Sequence, residues 1–171
     1  MIGLLRHLAP MGSIGVLTLL AVLPWGLPAE DRFFLPLLPV IAIHYWALRH
    51  DAVIPEWFVF LAGLVLDTLT NGPLGYWSLI YLIAYSVAVI SAPLASRGQG
   101  VRLALFAVAL LIVAGAAWVI SSIYFLEAVD WRPYLTGAAF AGVGALLIVP
   151  ILHALNVADG ERANPSLVRG R

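Results

Sequence analysis

The chain contains no cysteine and no lysine. With no thiol there is no disulfide framework, no thiolate nucleophile and no cysteine-bound metal. Its nine arginines are balanced by nine acidic residues, so no basic stripe exists to hold nucleic acid. Charge as a whole is scarce, at 11% of residues against 63% hydrophobic, with a mean hydropathy of +1.00. A soluble domain carries about 25% charged residues, so the solvent this chain suits is lipid, and the fold class expected is an all-α integral membrane protein. Its 171 residues accommodate about six spanning helices of ~20 residues with almost nothing left over for an extramembrane domain. Binding or catalysis must then use the helices or very short loops, and no cofactor or metal is expected.

The punctuation divides the chain into six. Arg6 and His7 precede an apolar run from Leu8 to Leu27, too long for a signal-peptide core and lacking the small residue that cleavage after Leu27-Pro-Ala29 would need, so it reads as a retained first helix. Pro24, Gly26 and Pro28 close it, and Glu30-Asp31-Arg32 form a loop. The second helix is expected over Phe33 to Leu48, with Pro36 and Pro39 in its opening turns, where a missing N–H costs least. Tyr45 and Trp46 near its end suit an interfacial aromatic belt. The third runs from Pro55 to Leu69, short of a full crossing, and the fourth from Pro73 to Leu94. The fifth, Val101 to Leu126, is long enough to tilt or protrude, and the sixth runs from Pro133 to Leu155. One transmembrane domain, 1–155, is followed by a polar cytoplasmic tail, 156–171.

Arginine placement gives the expected orientation. With the N terminus inside, Arg6, Arg49, Arg97, Arg102, Arg162, Arg169 and Arg171 fall on the cytoplasmic side, against Arg32 and Arg132 outside. Seven against two is a positive-inside bias that places both termini in the cytoplasm. The outer loops collect Glu30, Asp31, Glu127 and Asp130.

One carboxylate falls inside this apolar frame. Asp67 closes Phe60-Leu-Ala-Gly-Leu-Val-Leu-Asp67, roughly 18 Å along helix three from Pro55 and so in the outer half of the membrane. An intramembrane acid is costly and calls for a partner, and at the C-terminal end of its own helix the dipole opposes it. The free N–H groups at the start of helix four, after Asn71-Gly72-Pro73-Leu-Gly75, form one acceptor site for an anion; Arg32 and Arg132 are the alternative partners. Gly63 lies on the same face as Asp67 and permits close helix contact. Asp67 therefore either staples a tight helix hairpin or serves as a ligand or proton-relay group. His44 reads as an interfacial residue rather than a metal ligand, because no second His or carboxylate lies at i+3 or i+4 beside it. Gly137, Ala141 and Ala145 form a close-packing face whose partner can be another helix of the same chain.

These residues carry a resemblance. Phe34-Leu-Pro-Leu-Leu, then His44-Tyr-Trp-Ala-Leu-Arg49, then the segment ending at Asp67 and the Gly72-Pro-Leu-Gly75 turn are, in order and spacing, similar to the bacterial rod shape-determining MreD family, from about Phe34 to Tyr85. The resemblance implies a six-transmembrane-helix bundle similar to the substrate-binding subunits of energy-coupling-factor transporters. It also implies a non-enzymatic subunit of the cell-elongation complex in the bacterial inner membrane. The partners it implies are an MreC-like single-pass protein and, indirectly, the MreB filament, RodA and a class B penicillin-binding protein that build lateral peptidoglycan. Asp67 matches the family's acidic residue at the end of helix three, and no catalytic residue is carried over. Structural or partner-organising roles are expected for Asp67, Gly63, Asn71, Gly72, Pro73, Gly75, Tyr45, Trp46 and Arg49, and a periplasmic contact for Trp131 and Arg132.

Two other classes compete. A small-solute-binding subunit of a vitamin-type transporter would line its pocket with Asp67, Tyr81 and Tyr85, and would need a small-residue surface on helix one, where Ala9 and Ser13 come closest. An intramembrane enzyme fails on inventory: there is no His-Glu-x-x-His, no Gly-x-Ser-x-Gly and no second embedded Asp to form a dyad with Asp67.

Overall fold

Proline and glycine set where each helix ends, and the fold follows from that spacing. The structure, a computed structural model, describes residues 2–26, 28–49 and 54–163. Helix α1, Ile2–Val22, stops short of the expected Leu27 because Pro24 cannot continue it; the Trp25 indole instead donates to the Leu20 carbonyl at 2.8 Å. The expected second helix is two pieces: a 3-10 segment, Ala29–Leu37, then α2, Leu38–Ala47. Pro39 has no N–H to give the Leu35 carbonyl, which accepts from Leu38 in the tighter i to i+3 pattern. Helices α3, Glu56–Leu69, α4, Tyr76–Ala95, and α5, Gln99–Phe125, lie close to expectation. Helix α6, Arg132–Ala163, runs eight residues past the expected boundary at Leu155, although its apolar span ends at Asn156. Arg169 and Arg171 lie outside the described residues, which contain no strand.

Five helices close a ring around the sixth. Helix α1 packs on α3, α3 on α4, α4 on α5, α5 on α6 and α6 back on α1, while α2 touches α1, α4 and α6. Every residue of α2 from Pro39 to His44 is buried, and so is Trp46. A helix apolar on all sides belongs at the centre of a bundle. This corrects two expectations: His44 is only 3% exposed and Trp46 2%, so both are core residues and neither belongs to an interfacial belt. The Trp46 indole donates to the Ser13 hydroxyl at 2.9 Å, tying α2 to α1.

The ring helices are apolar on their outer as well as their inner faces. On α4 the buried residues are Trp77, Ser78, Ile80, Tyr81, Ala84, Ala88, Ala92 and Ala95, whereas Leu79, Val89, Ile90 and Leu94 are exposed. On α5 Ala109, Leu110, Val113, Ala114, Ala117 and Ser121 face inward, and Leu103, Leu111, Ile112 and Ile123 face out. Inner faces rich in small residues, with large aliphatic side chains outside, suit helices in lipid, where close packing rather than hydrophobicity holds them together. Tyr76–Ala95, Gln99–Phe125 and Arg132–Asn156 are each long and apolar enough to cross a membrane, and Ala9–Val22 and Arg32–Ala47 are shorter apolar stretches.

Candidate functional site: the acid that joins two helices

Helix α3 ends in a Schellman turn built on Asp67. The Gly72 N–H returns to the Asp67 carbonyl at 3.0 Å and the Asn71 N–H to the Thr68 carbonyl at 3.4 Å, with Asn71 in the left-handed conformation at φ 53°. Asn tolerates that region better than other side-chain-bearing residues. Pro73 then prevents helical continuation, and Gly75, at φ 92°, makes a second left-handed step that a Cβ would strain. Two left-handed residues around one proline reverse the chain in six residues and set the start of α4 over the end of α3.

The Asp67 side chain closes this hairpin from the other direction. One carboxylate oxygen accepts the Gly75 N–H at 2.8 Å and the other the Trp77 N–H at 2.9 Å. No part of Asp67 is exposed. It caps α4 from another helix: its carboxylate satisfies donors that the first turn of α4 leaves free, and its charge meets the positive end of the α4 dipole. Of the partners expected for the acid, the structure places it on the start of helix four. Such charge-assisted bonds to backbone N–H groups are about twice as strong as neutral ones.

Gly63, one turn earlier, makes the approach possible. A Cβ there would lie 2.4 Å from both Cα and N of Ser78, so the two backbones touch where α3 crosses α4. The crossing and the cap are one device, because Ser78 follows Trp77 directly.

Aromatic and hydroxyl groups lock this end of the bundle, Tyr81 expected from the sequence and Tyr76, Ser121 and Tyr134 not. The Tyr81 hydroxyl, on a ring with no exposed surface, donates to the Pro36 carbonyl at 2.9 Å. In a 3-10 turn that carbonyl would look to residue 39, which is proline and has no N–H. The Tyr76 hydroxyl donates to the Ala117 carbonyl at 3.0 Å and accepts from Ser121 at 3.0 Å, fastening α4 to α5. Phe33 lies between Trp77, at 5.7 Å, and Tyr134, at 4.3 Å, in tilted ring contacts, and a Cβ on Gly137 would lie 2.7 Å from the Phe33 ring. The small face of α6 thus packs on the 3-10 segment of the same chain. A signal for these groups was present in the sequence: a Tyr or Trp within one turn of a helix start facing a small residue.

The remaining candidates fall in two places. Trp131 and Arg132, both exposed, share the Asp67 end, where the Arg132 N–H donates to the Asp130 carboxylate at 3.1 Å. Tyr45, Trp46 and Arg49 lie at the opposite end, with the Arg49 guanidinium 4.4 Å above the Tyr45 ring. They do not join the Asp67 site. Among the described residues no group of three or more His, Asp or Glu side chains is arranged to hold a metal. The Asp67 arrangement orders backbone and leaves no carboxylate oxygen without a protein donor. The chain matches no protein-family model, no curated protein and no solved structure.

Proposed function

We propose that the chain is a non-enzymatic scaffold of the bacterial inner membrane, a subunit of the cell-elongation complex of the MreD kind, which holds an MreC-like single-pass protein and so helps position lateral peptidoglycan synthesis. The observation that carries this reading is the use of Asp67 as an internal cap. An acid with each carboxylate oxygen already accepting a backbone N–H, inside a ring of helices filled by α2, is employed in holding the fold. Tyr81, which a vitamin pocket would also use, is equally committed. What remains available to a ligand is the outer surface, and it is apolar helix flank. A flank of this kind suits another transmembrane helix.

The chain then passes through the bilayer plane six times, with both termini in the cytoplasm. The 3-10 segment and α2 together reach about 33 Å, enough for the ~30 Å hydrocarbon core, while α3, at about 21 Å, falls short of a full crossing and ends at the turn that Asp67 closes. Trp131 and Arg132 then face the periplasm as a contact for the partner's external domain. The decisive experiment is purification of the tagged chain from native membranes. Stoichiometric recovery of an MreC-like single-pass protein, lost when bulky residues are introduced on one helix flank, is the expected result. Tight recovery of a vitamin-sized solute with no protein partner overturns the reading in favour of a transport subunit.

A further inference from the structure

The end of the bundle opposite Asp67 gathers positive charge that no described acid neutralises. Arg49 follows the C terminus of α2 and stacks over Tyr45. Arg102 lies in the first turns of α5, one turn before Phe106, whose ring meets His44 at 5.2 Å. That contact brings the start of α5 beside the end of α2, and the charges of Arg49 and Arg102 both act on the Tyr45 hydroxyl. Neither guanidinium makes an ion pair among the described residues, and the Tyr45 hydroxyl is enclosed without a hydrogen-bond partner. Glu56, at the start of α3 at this end, acts on Tyr85 of α4 instead.

Two like charges held beside one phenol repel each other unless an anion lies between them. A planar guanidinium fixed on an aromatic face is suited to a phosphate oxygen pair. We infer that Arg49 and Arg102 form a binding site for a phosphate-bearing anion beside Tyr45, where the end of α2 meets the start of α5. Its source is the headgroup of an anionic phospholipid in the adjoining leaflet, since basic groups at membrane-helix ends attract such headgroups. The site lies at the far end of the bundle from Asp67 and does not depend on the scaffold reading.

The test compares thermal melting of the full chain in detergent with added phosphatidylglycerol, phosphatidylcholine or inorganic phosphate. The expected result is a higher melting temperature with phosphatidylglycerol than with phosphatidylcholine. The apparent affinity for phosphatidylglycerol should fall about fivefold for Arg49→Gln or Arg102→Gln alone and further for the pair, with melting in phosphatidylcholine unchanged. Arg97→Gln, at the same end in the turn after α4, should keep the preference. Stabilisation by inorganic phosphate alone, lost in the pair, supports the anion site and assigns it to a soluble phosphate instead of a lipid. No stabilisation by either anion overturns the proposal. So does a preference that survives the pair, or one that Arg97→Gln removes equally, which would mean diffuse attraction to the leaflet.

Discussion

At the scale of single residues, Asp67 does what a helix cap does, but from a neighbouring helix and with charge. Asp67→Asn keeps the shape, yet its amide offers one acceptor and places an NH2 donor against the other N–H. One bond is lost, two donors oppose each other, and the favourable charge at the α4 dipole disappears. The expected cost is about 2–3 kcal/mol, visible as a lower melting temperature in detergent, whereas Asp159→Asn in the C-terminal part of α6 should melt like the parent. Equal melting of the two variants would remove the structural role of Asp67. Tyr81→Phe is a smaller test of the same logic: it strips the donor from the Pro36 carbonyl without opening space, and should cost about 1 kcal/mol. No change on that substitution would mean that another donor already serves the carbonyl.

At the scale of elements, two glycines sit at close helix contacts, and the atoms opposite them separate their consequences. At Gly63 the obstructing atoms are the Cα and N of Ser78, so Gly63→Ala must push α3 away from α4 and weaken both bonds to Asp67. A loss of about 3 kcal/mol or more is expected, and Ser78→Gly should not restore it because the clash is with backbone. At Gly137 the nearest atom belongs to the Phe33 side chain, so Gly137→Ala should cost less and be partly relieved by Phe33→Leu. Rescue of Gly63→Ala by Ser78→Gly, observed as recovered melting, would show that the crossing is looser than described. The hairpin was legible in the sequence because its parts are chemically distinct: an acid, an Asn-Gly-Pro run, a Gly one turn before the acid. The division of the second helix was not, because Pro36 and Pro39 are compatible with the first turn of an α-helix and only their combination selects 3-10 geometry. The central place of α2 was equally hidden. In lipid the exterior is as apolar as the core, so hydropathy cannot tell a buried helix from a lipid-facing one, and His44 and Trp46, which suit an interface by composition, are in fact buried.

At the scale of the whole molecule, the two ends of the bundle differ in charge, and that difference should set how it inserts. Arg49, Arg97 and Arg102 mark one end, and Arg132, with Glu127 and Asp130, the other. Basic residues near helix ends resist translocation, while acidic ones contribute little, so the Arg49 end is expected in the cytoplasm. The chain itself supplies a clean assay, because it has no cysteine and any label reports only an introduced one. Ala128→Cys, exposed between α5 and α6, should react with an impermeant maleimide in intact spheroplasts, and Gln99→Cys, exposed at the start of α5, only after permeabilisation. Reversing charge with Arg49→Glu and Arg97→Glu together removes two of the arginines at that end, adds two acids there and should give a mixed population, with Gln99→Cys partly labelled from outside. If Gln99→Cys is labelled from outside in the otherwise unchanged chain, the orientation is inverted. Trp131 and Arg132 would then face the cytoplasm, where they cannot meet a partner's periplasmic domain.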